Sequence, residues 1–258
     1  MIRDLIAYRE TRHLNLDDPA TTRLRRDILQ KNVFLRKVYQ EWYTMIIQEL
    51  PKSSKPILEL GTGPGFLKEM EGSLVTSEIQ WIPGVDIVLD GQNLPFPNES
   101  LRAIVMTNVI HHIPKVKSFF SETLRCLVDG GKVIVIEPWL TDWSHFIYRN
   151  LHHEPIDPDA PTWEFPSDGP LSSANEALPW MIFFRDRDKF KDSFPQYKIT
   201  KIEPIMPFRY LMSGGFSSRI HMPGWTFSFW KRVETILEPQ RFRMGMFALI
   251  VLQRDANL

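Results

Sequence analysis

The sequence has little of what several classes of protein require. Its 258 residues contain one cysteine, Cys126, which excludes an internal disulfide framework and a cysteine-rich metal site. Lysine and arginine (31) balance aspartate and glutamate (31), so no net charge favours nucleic acid or an acidic membrane. No apolar run approaches the roughly 20 residues that a membrane helix needs. The first residues, MIRDLIAYRETRH, are too charged for a signal peptide, so we expect a cytoplasmic protein without an integral membrane segment.

The composition is otherwise that of an ordinary globular protein. With 43% hydrophobic and 24% charged residues, the chain can bury a sizeable core as one large domain or as one domain with an appendage. Asp18 and Pro19 form a helix start, and apolar residues recur after them at helical spacing. We predict an N-terminal cap of one or two helices over residues 1–54, packed on a main domain over residues 55–258. One face of this cap is basic and comprises Arg25, Arg26, Lys31 and Arg36. We expect this face to be exposed to solvent rather than to bind nucleic acid or lipid.

From Ile57 onward the pattern changes to alternating strands and helices. Five strands are predicted at ILEL, SLVTSEI, VDIVLD, LRAIVMTNVI and KVIVIEP, with a helix at VKSFFSETLRCLVDGG. Gly130 and Gly131 are predicted to form the C-cap of that helix, and Lys132 to start the next strand. The last two strands are predicted at YKITKIEPI and FRMGMFALIVLQR. The irregular stretches at about 140–185 and 207–240 are predicted to be insertions at the carboxyl edge of the sheet.

Three closely spaced glycines follow the first predicted strand, in KPILELGTGPGF at residues 55–66. A glycine turn between a strand and a helix lets a ligand lie against the main chain. A nicotinamide-dinucleotide site has the spacing G-x-G-x-x-G, in which the last glycine lets the helix pack on the strand. Here the third glycine comes one position early, and the bulky Phe66 stands where the packing glycine belongs. The turn therefore does not favour a dinucleotide.

The spacing E-x-G-x-G-x-G, from Glu59 to Gly65, resembles the first motif of class I S-adenosylmethionine-dependent methyltransferases. The resemblance continues through LDGQNLPFPNESLRAIVMTNVIHHIP and FFSETLRCLVDGGKVIVIEP, and it covers about residues 55–138. The chain is most similar to the small-molecule, methyltransferase type 11-like branch. The resemblance implies a Rossmann-like α/β fold: a doubly wound, mostly parallel sheet of seven strands whose last strand runs antiparallel. It also implies an enzyme that uses S-adenosyl-L-methionine.

This cofactor carries no phosphate, and the turn has no lysine or arginine from Gly61 to Leu67. Its methionine end can lie over the glycine backbone, while Glu59 orders the turn or accepts from the ammonium group through water. By resemblance, Asp90 before LPF accepts from the adenine amino group, and Asn108 is placed to touch the methionine part. The predicted cofactor-binding residues are Glu59, Gly61, Thr62, Gly63, Gly65, Glu78, Asp90, Gly91, Gln92 and Asn108.

Two carboxylates are candidates for the ribose hydroxyls. Glu78 lies 17 residues after Gly61, near the spacing of about 20 that such sites show. Only six residues separate Glu78 from Val85, too few for a crossover helix. Alternatively, GVDI ends the second strand and Asp86 holds the ribose. That alternative leaves no third strand before Asp90, so Glu78 is preferred.

Methyl transfer needs a general base only when the acceptor must lose a proton. His111 and His112 directly follow the fourth predicted strand, and Glu137 closes the fifth. The same histidine pair occurs across relatives in this branch, which also fits a structural or cofactor-shielding role. His153, in the insertion NLHHEPIDPDAPTWEF, is the third candidate base. A metal site in this insertion is disfavoured, because adjacent histidines rarely bind one ion together.

The predicted function is methylation of a small-molecule acceptor, most readily at oxygen, with sugars, lipid-linked compounds and secondary metabolites as candidate acceptors. The fourth strand is followed by NVIHHI rather than N-P-P-[YF], which weighs against methylation of nucleobase or protein amide nitrogen. No nucleic-acid partner is expected. The alternatives are a catalytically silent cofactor-binding scaffold and a nicotinamide-dependent oxidoreductase.

Overall fold

The structure is a computed structural model that describes residues 17–151, 155–167, 169 and 173–255. Within these residues seven strands form one sheet. They are β1 (Ile57–Leu60), β2 (Leu74–Glu78), β3 (Ile87–Val88), β4 (Leu101–Thr107), β5 (Leu127–Pro138), β6 (Tyr197–Ile205) and β7 (Phe247–Arg254). The strand order is β3-β2-β1-β4-β5-β7-β6. Only β7 runs antiparallel to its neighbours β5 and β6, so the predicted fold class is confirmed.

Ten α-helices accompany the sheet in the same part of the chain. They are α1 (Pro19–Lys31), α2 (Val33–Glu49), α3 (Leu67–Met70), α4 (Val116–Cys126), α5 (Asp142–Leu151), α6 (Leu178–Trp180), α7 (Arg187–Ser193), α8 (Arg209–Met212), α9 (Phe227–Ile236) and α10 (Arg241–Met244). Short 3₁₀ turns lie at Ile110–His112, Gly224–Thr226 and Glu238–Gln240, and a π-helical turn lies at Met181–Arg185.

Both faces of the sheet are buried, which explains the continuous apolar runs of the central strands. Leu58 and Ile104 pack on one face, in the apolar cluster that contains Phe120 of α4. Ile57 and Val105 pack on the opposite face, in the cluster that contains residues of α1, α2 and α5. Side chains therefore alternate between two cores along each strand.

The N-terminal segment forms two helices because Asn32 interrupts it. The Asp18 side chain caps α1 by accepting from the Ala20 N–H at 2.8 Å. The Asn32 side chain caps α2 by accepting from the Leu35 N–H at 3.0 Å, and its amide donates to the Ser213 carbonyl at 2.9 Å. This junction joins the cap to the chain near α8.

A buried ion cluster holds α2 against α8 and α9. Both terminal nitrogens of Arg209 donate to the Glu41 carboxylate, at 2.7 and 2.8 Å, and its Nε donates to Glu234 at 2.5 Å. Arg209 is only 4% exposed, so losing either carboxylate would leave a buried charge poorly paired. The division of the chain at residue 54 stays a prediction, but these helices are firmly attached to the residues after β6.

The predicted C-cap of α4 is wrong. The helix ends at Cys126, and the following residue, Leu127, is already extended, with φ −73° and ψ 141°. Leu127 is fully buried and pairs with Leu101 of β4, so the chain joins the sheet before it reaches the glycines. Gly130, at φ 72°, instead lies where the β4–β5 register shifts. Burial of Leu127 prevails over the local cap signal.

The short link between β2 and β3 is confirmed. Ser77 pairs with Ile87 and Glu78 with Val88, both in parallel register. The connecting residues 79–86 form turns and bends without a helix. Two paired residues are therefore the whole of this edge strand, and the chain then proceeds to Asp90.

Candidate active site

One cavity of about 510 Å³ lies at the carboxyl ends of the central strands. Of the sequence-predicted residues, those that line it are Gly61, Gly63, Glu78, Asp90, Gly91, Gln92, Asn108, His111 and His112. Three others, Glu59, Thr62 and Gly65, are not among its lining residues. His153 lies outside the described residues. The structure thus brings together nine residues that lie in four separate segments of the sequence.

The three glycines of the turn serve two different purposes. Gly61 and Gly63 have φ of 68° and 50°, a left-handed conformation that residues with a Cβ rarely adopt. A Cβ on Gly61 would also lie 2.6 Å from Val109 Cγ2. Gly65 has no positive φ, but a Cβ there would collide with the Tyr43 hydroxyl of α2. The first two glycines shape the turn, and the third lets the cap pack against it.

Glu59 orders the turn from beneath. Its Oε2 accepts from the Thr62 hydroxyl at 2.7 Å, and the Thr62 N–H donates to the Ser77 carbonyl at 3.0 Å. Glu59 is buried, and this burial raises the pKa of its carboxyl to about 7; the negative charge of Glu78 adds to the rise, while the Thr62 hydrogen bond opposes it. Of the two predicted roles for Glu59, this geometry favours ordering the turn.

The raised pKa of Glu59 gives the protein a measurable pH dependence. The folded state holds this proton more tightly than the unfolded chain, so its stabilisation is full below the unfolded pKa and disappears as pH rises through about 7. In the parent, we expect Glu59 to lower the free energy of unfolding by about 3 kcal/mol between pH 4.5 and 8, as measured by urea titration. In Glu59→Gln this decrease should be absent. Glu69→Gln, on the exposed surface of α3, is the control. An unchanged pH slope in the Glu59 variant would refute this expectation.

Glu78 and Asp86, the two candidates for the ribose, lie in different surroundings. Glu78 lines the cavity, and its Oε1 accepts from the Gly63 N–H. Asp86 is held by the Thr76 N–H and hydroxyl, at 2.8 and 2.9 Å, and by Lys68. Hydrogen bonds from Lys68 and Thr76 lower the pKa of Asp86 to about 2. Only Glu78 is placed to meet a ligand in the cavity.

The segment after β3 forms one edge of the cavity. The Asp90 Oδ1 accepts from the Gln92 N–H at 2.8 Å and from its side-chain amide at 2.9 Å. Gly91 is buried, and a Cβ there would lie 2.7 Å from Leu60 Cδ2. The Gln92 Oε1 accepts from the Lys115 N–H at 3.1 Å. The exposed Asp90 carboxylate is thereby fixed at the edge where the predicted adenine contact lies.

Asn108, just after β4, fits the amino-acid end of the cofactor. Its backbone has φ 58°, and its N–H donates to the Ile136 carbonyl at 2.9 Å. Its Oδ1 is buried and accepts no hydrogen bond from the residues that the structure describes. A buried acceptor without a donor is costly, and an ammonium group can supply that donor. The uncharged turn and this acceptor together suit the zwitterionic methionine part of S-adenosylmethionine.

His111 and Glu137 form a buried pair at the carboxyl ends of the adjacent strands β4 and β5. His111 Nδ1 lies 2.6 Å from Glu137 Oε2. The other carboxylate oxygen accepts from the Val109 and Ile110 N–H groups at 2.7 and 2.8 Å. His112 differs, because its Nδ1 lies 3.3 Å from the Ser173 carbonyl. The carboxylate can thus fix the His111 tautomer with the Nδ1 proton facing Glu137, as carboxylates do for catalytic histidines.

The sequence reasoning missed the part of the site that the cap provides. Arg25 and Tyr39 line the cavity, and Arg26 donates to the Gly63 carbonyl at 3.3 Å and to the Pro83 carbonyl at 3.0 Å. The expectation that this basic helix face is merely solvated is therefore wrong for Arg25 and Arg26. No local pattern indicates this, because it depends on how α1 packs over the glycine turn.

None of the helices in the described part of the chain combines the length and apolar character needed to cross a membrane. The sequence family described as a methyltransferase domain matches residues 33–188. No curated protein matches the sequence.

Several solved structures are similar to this one. Geranyl diphosphate C-methyltransferase from Streptomyces coelicolor A3(2) is 12% identical with a TM-score of 0.49, covering 86% of this chain and 80% of that chain. An S-adenosylmethionine-dependent methyltransferase from Mesorhizobium loti is 14% identical with a TM-score of 0.48, covering 82% and 96%. Another from Methanosarcina mazei is 14% identical with a TM-score of 0.46, covering 81% and 97%. Because the methyltransferase-domain match spans more than half of its residues, the chain belongs to that family and is a class I S-adenosylmethionine-dependent methyltransferase.

Proposed function

We propose that this methyltransferase methylates an oxygen atom of a small-molecule acceptor, with His111 as the general base. The observation that carries the proposal is the buried His111–Glu137 pair, 2.6 Å apart, whose histidine lines the same cavity as the glycine turn. A methyltransferase needs such a base when the acceptor must lose a proton, as a hydroxyl group does.

The size and lining of the cavity support a small acceptor. A volume of about 510 Å³ lies within the range of small-molecule pockets, about 300–1,000 Å³. The lining also includes five aromatic side chains, namely Tyr39, Tyr148, Tyr210, Phe216 and Phe247. Such walls suit an acceptor with a flat or apolar part, including one attached to a lipid.

The proposed division of the chain places four of these five aromatic side chains in three segments. Tyr39 belongs to the cap of residues 1–54, Tyr148 to the insertion at about 140–185, and Tyr210 to the insertion at about 207–240. Loops at the carboxyl edge of such a sheet commonly set the substrate. We therefore propose that the two insertions select the acceptor, while the strand ends, covered by the cap, hold the cofactor.

The proposed chemistry of the protein residues is a single proton transfer. Bound S-adenosylmethionine supplies an activated methyl group. Glu137 accepts a hydrogen bond from the Nδ1–H of His111, so Nε2 is the ring nitrogen that would take the proton of the acceptor hydroxyl as its oxygen becomes nucleophilic. Glu137 acts as a positioning residue, since its other oxygen is held by two backbone N–H groups. The proton then leaves His111 for solvent.

The experiment is to incubate the purified protein with S-adenosylmethionine and fractionated metabolites, and to find products one CH₂ heavier by mass spectrometry. We expect an isolated product to carry its new methyl group on oxygen, as shown by NMR. An incubation with the Gly63→Val variant is the control for background methylation. A methyl group on carbon or nitrogen would contradict the proposal while leaving the family assignment intact.

A further inference from the structure

The glycine turn offers no positive charge to a ligand that carries a carboxylate. Lysine and arginine are absent from Gly61 to Leu67, and the next residue, Lys68, is paired with Asp86 outside the cavity. A carboxylate that leaves water needs donors or an opposite charge in return. The partner of the methionine carboxylate must therefore come from another part of the chain.

Arg25 of α1 is the single arginine or lysine among the described residues that line the cavity. It is half-buried, and its guanidinium carbon lies 5.9 Å from the centroid of the Phe216 ring. No hydrogen bond or ion pair joins this guanidinium to any other residue in the described ranges. Its five donors are therefore available to a ligand.

The fold holds α1, the helix that carries Arg25, over the glycine turn. The adjacent Arg26 donates to the Gly63 carbonyl at 3.3 Å, which fixes α1 over the turn. The phenol of Tyr39 interacts with both Arg25 and Asn108. Burial raises the pKa of Tyr39 above its ordinary range, and the charge of Arg25 and the side chain of Asn108 both oppose that rise. Arg25, Tyr39 and Asn108 all line the cavity.

Two complementary polar groups thus line the cavity together with Tyr39. One is the Arg25 guanidinium, a donor, and the other is the buried Asn108 Oδ1, an acceptor without a donor among the described residues. An amino-acid end group presents the complementary pair, a carboxylate and an ammonium, on one carbon atom. We propose that Arg25 binds the carboxylate of the cofactor's methionine part while Asn108 accepts from its ammonium group. This inference rests on the cofactor and is independent of the atom that is methylated.

The test compares two ligands that differ only in the carboxylate. S-adenosylhomocysteine carries it, and S-adenosyl-3-thiopropylamine lacks it. We expect Arg25→Met, which keeps an apolar stem, to weaken S-adenosylhomocysteine about 10- to 100-fold by isothermal titration calorimetry. The thiopropylamine should bind the variant and the parent equally. Arg25→Lys keeps the charge but loses the fork of donors, and we expect an intermediate loss for S-adenosylhomocysteine.

Arg23→Met is the matched control, because Arg23 lies exposed on the same helix. It should bind both ligands as the parent does, and thermal unfolding should show all variants folded. If Arg25→Met binds S-adenosylhomocysteine like the parent, the inference is overturned. A raised KM for an acceptor would then indicate that Arg25 binds an anionic group of the acceptor. An equal loss for both ligands would also overturn it, since that result means that α1 has moved. Failure of the parent to bind S-adenosylhomocysteine would instead contradict the assignment of S-adenosylmethionine as the cofactor.

Discussion

Replacing Gly63 by valine is expected to weaken the binding of S-adenosylhomocysteine about 100-fold or more, equivalent to about 2.7 kcal/mol, while the fold is retained. Gly63 lines the cavity at φ 50°, where a β-branched residue is strained. The protein atom nearest to an added Cβ is Glu78 Oε1 at 3.8 Å. The valine side chain therefore projects into ligand space rather than into the core. Calorimetry with S-adenosylhomocysteine measures the loss, and circular dichroism verifies the fold.

Gly84→Val separates ligand exclusion from backbone strain. Gly84 has φ 88°, an added Cβ there would meet nothing within 4 Å, and it does not line the cavity. We expect this variant to lose about 1–2 kcal/mol of stability to the left-handed conformation and to bind S-adenosylhomocysteine normally. Equal loss of binding in both variants would attribute the effect to strain. Normal binding by Gly63→Val, and likewise by Asp90→Ala, would mean that the cofactor site is misplaced.

Much of the fold was predictable because its signals are local. The central parts of β4 and β5 are buried on both faces, so they appear in the sequence as apolar runs at residues 103–106 and 133–136. The C-cap of α4 was not predictable from its glycines. Leu127 enters the sheet through its pairing with Leu101, 26 residues earlier in the chain. No local pattern reveals such a pairing.

The residues of the candidate site also differ in whether local sequence alone could predict them. The glycine turn was predictable because positive φ is a requirement of the local backbone, and Gly61 and Gly63 meet it. The place of Arg25 was not, because it depends on how α1 packs over a turn more than 30 residues away in the chain. The His111–Glu137 pair is intermediate. Both residues follow predicted strands, but their contact requires β4 and β5 to be neighbours.

Replacing His111 by glutamine is expected to lower kcat about 10²- to 10⁴-fold while S-adenosylhomocysteine binds as before. The reason is that glutamine cannot take a proton from the acceptor. Glu137→Gln should also lower kcat, although it leaves the histidine in place. Its side-chain amide can donate to Nδ1, which favours the tautomer with the proton on Nε2, so the ring can no longer accept there. Because the two residues act as one unit, the double variant should be scarcely slower than either single variant.

His112→Gln distinguishes a base from a structural histidine. His112 lines the same cavity, and its ring centroid lies 4.2 Å from that of His111, but its Nδ1 faces the Ser173 carbonyl rather than a carboxylate. We expect a smaller loss of kcat in this variant and an unchanged acid limb of its pH–rate profile. In His111→Gln the acid limb should disappear, because that limb reports protonation of the base. If His111→Gln keeps the limb and loses activity only through weaker ligand binding, His111 shields or positions the cofactor, and the proton must leave the acceptor by another route.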